Sequence, residues 1–113
     1  MSHISNISIT PEALAMLQRM RASVPVRPGE HFALVYMSTF NNSRGVAVPG
    51  FVPGYVAYPD PLQKLSTRWF VAHPPNGVEF CFIPKYRLNA GQHYLIDVAS
   101  PRFSTLSIEP RRD

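Results

Sequence analysis

Ser66-Thr67-Arg68-Trp69-Phe70-Val71-Ala72-His73-Pro74-Pro75-Asn76-Gly77-Val78-Glu79-Phe80-Cys81-Phe82-Ile83 is the stretch that decides the fold. Two runs rich in aromatic and β-branched residues, 66–72 and 78–83, flank Pro74-Pro75-Asn76-Gly77, the composition of a hairpin turn. Pairing His73 with Val78 places Trp69 and Val71 on one face with Phe80 and Phe82. The other face then carries Arg68, Phe70, Glu79 and Cys81. A second strand–turn–strand pattern follows, 93–98 and 103–109 around Ala99-Ser100-Pro101-Arg102. There Tyr94, Ile96 and Val98 are expected to share a face with Phe103 and Thr105.

Upstream, residues 32–37 (Phe-Ala-Leu-Val-Tyr-Met) form an almost continuous apolar run of strand length, the pattern of a strand buried on both faces. A polar loop runs from Ser38 to Gly45. Residues 46–58 are rich in valine and aromatics but are broken by Pro49-Gly50 and Pro53-Gly54, which suits an edge or bulged strand. One helix is marked, over 11–22. Thr10 supplies a capping hydroxyl, Pro11 a first-turn proline and Glu12 a first-turn acid. Ala13, Met16, Leu17 and Met20 recur at helical spacing, and Pro25 and Pro28 close the segment. The expected architecture is mainly β (α+β): a β-sandwich-like domain with one N-terminal helix packed on it.

Size and composition fit that picture. The chain has 113 residues, 45% of them hydrophobic, enough for one core and too few for two. A single domain over 1–113 is expected. Its 12 prolines, scattered along the chain, disfavour long helices. No apolar run approaches the roughly 20 residues of a membrane span. Residues 1–9 lack the basic start and apolar stretch of a secretory signal, and the one cysteine, Cys81, forms no internal disulfide. A cytoplasmic location without membrane contact is the expectation.

The net charge of +4 suits an anionic partner. The cations are dispersed, however: Arg19 and Arg21, then Arg27, Arg44, Lys64, Arg68, Lys85, Arg87, Arg102, Arg111 and Arg112. Phosphate binding needs several of them on one face. Without that clustering, the solvated-surface reading is preferred to a nucleic-acid footprint.

No complete catalytic motif is present. His3, His31, His73 and His93 form no metal-ligand spacing and none sits beside a cysteine, so no metal and no cofactor is expected. His93 and Asp97 have the types of a base and its orienter, but four residues of strand separate them by about 13 Å, beyond the hydrogen-bond reach that a triad needs. Cys81 lies between two phenylalanines and reads as a buried core residue rather than a nucleophile. Asn41-Asn42-Ser43-Arg44-Gly45 has the donors, cation and glycine of an anion-binding nest, and equally the residues of any turn. Phe51, Tyr55, Tyr58 and Tyr86 fall in proline-broken segments; a partner surface and packing beneath the loops fit them equally.

The opening Ile7-Ser8-Ile9-Thr10-Pro11-Glu12-Ala13-Leu14 resembles the start of the HesB-like superfamily, which includes the A-type iron–sulfur carriers. Phe80-Cys81-Phe82-Ile83, Tyr86, Leu95-Ile96-Asp97-Val98 and the closing Phe103-Ser104-Thr105-Leu106-Ser107-Ile108-Glu109 are similar to an uncharacterised bacterial branch of it. The resemblance implies a short strand, a Thr-capped helix, and a β-rich scaffold that dimerises in relatives. A-type carriers hold their cluster through one cysteine after the strand that follows the helix and a Cys-x-Cys near the C-terminus. This chain has Ser38-Thr39-Phe40-Asn41-Asn42-Ser43 and Ser107-Ile108-Glu109-Pro110-Arg111 in those places. Without thiolates there is nothing to hold a cluster.

Three functional expectations follow. The first is a non-enzymatic HesB-like scaffold without an iron–sulfur cluster that binds a protein partner or a second copy of itself. The second is a small-ligand or anion binder, or a small enzyme, with a pocket near the 38–45 loop. Its site residues are Asn41, Asn42, Ser43, Arg44, Trp69 and His73, with Tyr36 beside them and Arg44 meeting the anion. The third is a weak nucleic-acid binder. No catalytic residue is assigned in any of them.

Overall fold

A computed structural model describes residues 2–75 and 77–111. Met1, Asn76, Arg112 of the tail pair and Asp113 lie outside them. In chain order the elements are β1 (Ser2–Ile4), β2 (Ile7–Ile9), α1 (Pro11–Ser23), β3 (Ala33–Met37), β4 (Gly54–Ala57), β5 (Phe70–Ala72), β6 (Phe80–Phe82), β7 (Tyr94–Ser100) and β8 (Thr105–Pro110). The architecture is mainly β with one helix, as the sequence predicts. The strands form one sheet in the order β1-β5-β6-β3-β4-β8-β7-β2. Its two outer members, β1 and β2, are consecutive in the chain and separated only by Ser5 and Asn6. One N-terminal segment therefore pairs in parallel with β5 on one side and with β7 on the other. The sheet is rolled into a nearly closed barrel, and the two layers of the expected sandwich are opposite walls of it.

The helix forms for the reasons its sequence gives. Thr10 Oγ1 accepts the Ala13 N–H at 3.2 Å, Pro11 opens the first turn, and the helix ends at Ser23, whose hydroxyl donates to the Met20 carbonyl. Its apolar stripe, Ala13, Met16, Leu17 and Met20, is buried in the same cluster as Ile7, Leu34, Phe80, Phe82, Ile96 and Leu106. That cluster fills the barrel. Burying each of its large side chains contributes about 1.5–3 kcal/mol.

The register of the first hairpin corrects the sequence reading. Phe70 opposes Phe82, Val71 opposes Cys81 and Ala72 opposes Phe80. Phe70 and Ala72 thus face inward with Phe80 and Phe82, while Val71 faces outward with Cys81. The connection is one residue longer than the sequence reading allows, and a one-residue slip turns a strand over. Outside, Ala33, Val71 and Cys81 make a second small cluster, covered by Leu62, Leu65 and Trp69. β3 is accordingly buried on both faces at its start, Ala33 outside and Leu34 inside.

The second hairpin also shifts. Ile96 opposes Ile108 and Val98 opposes Leu106, with an irregularity between Val98 and Ser100. The inward partners are therefore Leu106 and Ile108, and Phe103 stays in the turn. Residues 46–53 are not strand. Only Gly54–Ala57 enters the sheet, because the Pro-Gly pairs remove ladder donors and bend the chain.

Gly54 packs closely against β8. A Cβ there would lie 2.7 Å from Thr105 Cβ and 2.8 Å from the Leu106 carbonyl oxygen. Gly54→Ala should lower unfolding free energy by about 1–3 kcal/mol, and Ile7→Ala, at the barrel seam, by about 2–5 kcal/mol. Urea denaturation checks both; wild-type stability in either variant would contradict the packing described.

Candidate functional site

Asn41, Asn42, Ser43 and Arg44 form the tip of a small hairpin over 40–48. Asn41 bridges to Ala47. Asn42 Oδ1 accepts the N–H groups of Arg44 (2.9 Å) and Val46 (3.1 Å), and the Asn42 carbonyl accepts that of Gly45 (2.9 Å). The donors that an anion would need at 44–46 are spent inside the turn. Phe40, at the hairpin base, stacks on Phe51, which meets Phe103 edge-on. The hairpin therefore lies toward β4 and β8. Trp69 and His73 flank β5, which is beyond β6 on the other side of β3. Tyr36, on β3, stands between the two groups. The structure places the 41–44 loop and the Trp69–His73 pair on different parts of the wall.

The histidines make pairs. His73 Nδ1 is 3.2 Å from Glu79 Oε2, and its Nε2 is 2.7 Å from His3 Nδ1, with the two rings stacked. The chain Glu79–His73–His3 crosses the outer face and ties β1 to the first hairpin. His93 Nε2 is 2.6 Å from the Ser8 hydroxyl, while Asp97 accepts from Thr10 Oγ1 at 3.0 Å. His93 and Asp97 thus hold different partners, and Ser8–His93 is a hydroxyl–imidazole pair for which no orienting carboxylate stands among the described residues. Among the described residues, no group of three or more His, Cys, Asp or Glu side chains is arranged to hold a metal ion. Cys81 is buried at 2% exposure beneath Leu62, Leu65 and Trp69, and burial first, then Glu79, pushes its thiol up to about 11.

The densest chemistry is elsewhere, on segment 83–92 between β6 and β7. Two buried phenols hold this segment to the barrel end. Tyr55 Oη accepts the Lys85 N–H and Tyr94 Oη accepts the Asn89 N–H, both at 2.8 Å. Burial raises the Tyr55 pKa, so that phenol stays protonated. The Lys85 ammonium lies 4.8 Å from the Tyr36 ring centroid and 4.6 Å from that of Tyr86. Its pKa is held above the usual range by the Tyr86 and then the Tyr36 hydroxyl. Tyr86 remains 56% exposed. Arg68 comes in from the approach to β5 and meets Lys85 and Arg87 in one groove of about 430 Å³, which Phe70 and Tyr86 also line. Among the described residues, no carboxylate lines it.

Sequence reasoning recorded these cations as dispersed. The signal that unites them is the hairpin register. Phe70 opposes Phe82, so Arg68, just before one strand, and Lys85 and Arg87, just after the other, emerge at the same barrel end. No family model, curated protein or solved structure matches the chain.

The buried thiol gives a direct check. A disulfide reagent at pH 8 should leave native Cys81 unmodified under conditions where guanidinium-unfolded protein reacts fully. The unfolded thiol ionises near 9.0 and the folded one near 11, so the unfolded chain gives up its proton first. The stabilisation from this group is therefore intact below about pH 9 and lost between about 9 and 11. Cys81→Ala should lack that slope in denaturation curves taken across the interval.

Proposed function

We propose that the chain is a non-enzymatic interaction domain, on the HesB-like scaffold that its two ends resemble, and that it holds an anionic partner in the Arg68–Lys85–Arg87 groove. The observation that carries this reading is the meeting of three cations around an exposed aromatic ring with no acid among the lining residues. An extended polyanion, single-stranded RNA or DNA, fits that arrangement best. Phosphates pair with the guanidinium groups, and a base stacks on Tyr86, the combination that sequence-tolerant single-strand binders use. The resemblance contributes only the scaffold, since Ser38–Ser43 and Ser107–Arg111 bring no thiolate for a cluster.

A second reading rests on a different surface. Phe40, Val46 and Val52, all on segment 38–53, are 44%, 58% and 41% exposed. An apolar patch of this kind on one segment suits self-association into a homodimer. Light scattering across a concentration series decides it: a monomer at every concentration rules the dimer out, and in a dimer Val46→Asp should shift the mass toward monomer.

Anisotropy of a labelled single-stranded oligonucleotide tests the groove. Three phosphates neutralised predict a slope of log affinity against log salt of about −2. The double variant Arg68→Glu with Arg87→Glu should weaken binding at least tenfold, and Arg44→Glu should not. Absence of binding at low salt to both the oligonucleotide and polyglutamate would overturn the proposal. Retention of polyglutamate alone would keep the groove and change the partner to an acidic protein.

A further inference from the structure

A separate cavity opens at the mouth of the barrel, between its inner wall and the inner side of segment 84–89. Its volume is about 340 Å³, at the low end for small-molecule sites, which run about 300–1,000 Å³. Phe82 and Ile108 contribute apolar floor. Tyr55 and Tyr94, 3% and 4% exposed, stand in its wall. Each phenol oxygen already accepts a backbone N–H from the segment above. Each hydroxyl proton has no acceptor among the described residues. Arg87 and Glu109 line the same space, and neither is ion-paired among the described residues, where His73–Glu79 is the one ion pair.

Two buried O–H donors and one cation above an apolar floor describe a receptor for an acceptor-rich anion attached to a hydrocarbon body. We infer that the barrel mouth is a binding site for a small monocarboxylate carrying an apolar group, its carboxylate held by Arg87 and the Tyr55 and Tyr94 hydroxyls. The body lies on Phe82 and Ile108. Glu109 disfavours a second negative charge and provides a partner for an ammonium. The shared chemistry is therefore a carboxylate on an apolar body, whether a simple acid or an apolar α-amino acid. A volume of this size admits one ring or a short chain. Pro84, Tyr86, Arg87 and Leu88 border both this cavity and the polyanion groove, whereas Arg68 and Lys85 line the groove alone and Tyr55, Tyr94 and Glu109 the cavity alone.

The probes are 3-phenylpropanoate, L-phenylalanine and the neutral 3-phenylpropanamide, titrated calorimetrically into the full chain, with melting temperature as a second readout. At least one of the two acids should bind and raise the melting temperature, with the amide at least tenfold weaker. Arg87→Met should erase that acid-over-amide difference. Arg68→Glu should leave it unchanged, even though it weakens the polyanion groove. Glu109→Gln distinguishes the sources: a selective loss for L-phenylalanine assigns the ammonium to Glu109, and no loss assigns a simple acid. Equal affinity for acid and amide overturns the inference, as does acid binding unaltered in Arg87→Met. So does the lack of heat and of a melting shift with all three compounds at millimolar concentration.

Discussion

A sheet with two free edges leaves two rows of backbone donors and acceptors to be satisfied, and here a single segment near the N-terminus satisfies both. Ser2–Ile4 completes the ladder of β5, and after Ser5 and Asn6 the same segment completes that of β7. Rolling the wall into a barrel follows from this, because the two edges must come within the width of one strand. Enclosure of the core follows in turn. The helix leaves directly from the end of this segment, with Thr10 N–H bonded to the Ile96 carbonyl, so its stripe of Ala13, Met16, Leu17 and Met20 is delivered into the core. Without closure that stripe has no enclosed surface to meet. The Glu79–His73–His3 chain adds a side-chain tie across the same seam.

The barrel end around segment 83–92 depends on the closed wall. That segment has no regular structure of its own. It is held by two phenols that rise from the core, Tyr55 from β4 and Tyr94 from β7, each bonded to a backbone N–H. The anchors come from strands on either side of β8, so the segment is fixed only if the wall between them is fixed. The pinning exposes one chemistry outward and another inward. Lys85 meets Arg68 on the outside, Tyr55 and Tyr94 stand on the inside, and Tyr86 and Arg87 border both spaces. The proposed binding surfaces thus lie on a loop positioned by a rigid scaffold, the usual place for such groups.

Local signals in the sequence were readable and tertiary ones were not. The Thr10 cap, the Pro11 start and the helical stripe act within a few residues, and the helix stands where they place it. Of the run 32–37, Ala33–Met37 is strand for the same reason. The orientation of β5 depended instead on the parity of a connection. Pro74 and Pro75 lack the N–H groups that would extend the ladder, so the strands part earlier than a tight Asn-Gly turn implies. One added residue sends Phe70 inward and Val71 outward. The grouping of Arg68 with Lys85 and Arg87 arises at the open end of the hairpin, beyond both strands, where strand periodicity says nothing of side-chain placement. The loop 41–45 was readable as a turn, but its place relative to Trp69 and His73 is set by sheet order, which no pattern within either segment encodes. The closing role of residues 2–9 was equally hidden, because three-residue strands carry too little periodicity to announce two partners.

Closure by the leading segment also orders the events of folding. Residues 2–9 are made well before the strands they pair with, since Ser2 pairs with Phe70 and Ile7 with Tyr94. During synthesis the helix can form at once, but its apolar stripe stays uncovered until most of the chain has emerged. Such distant pairings slow folding and prolong exposure of sticky surface. A slow, concentration-sensitive refolding phase is the natural companion of this topology.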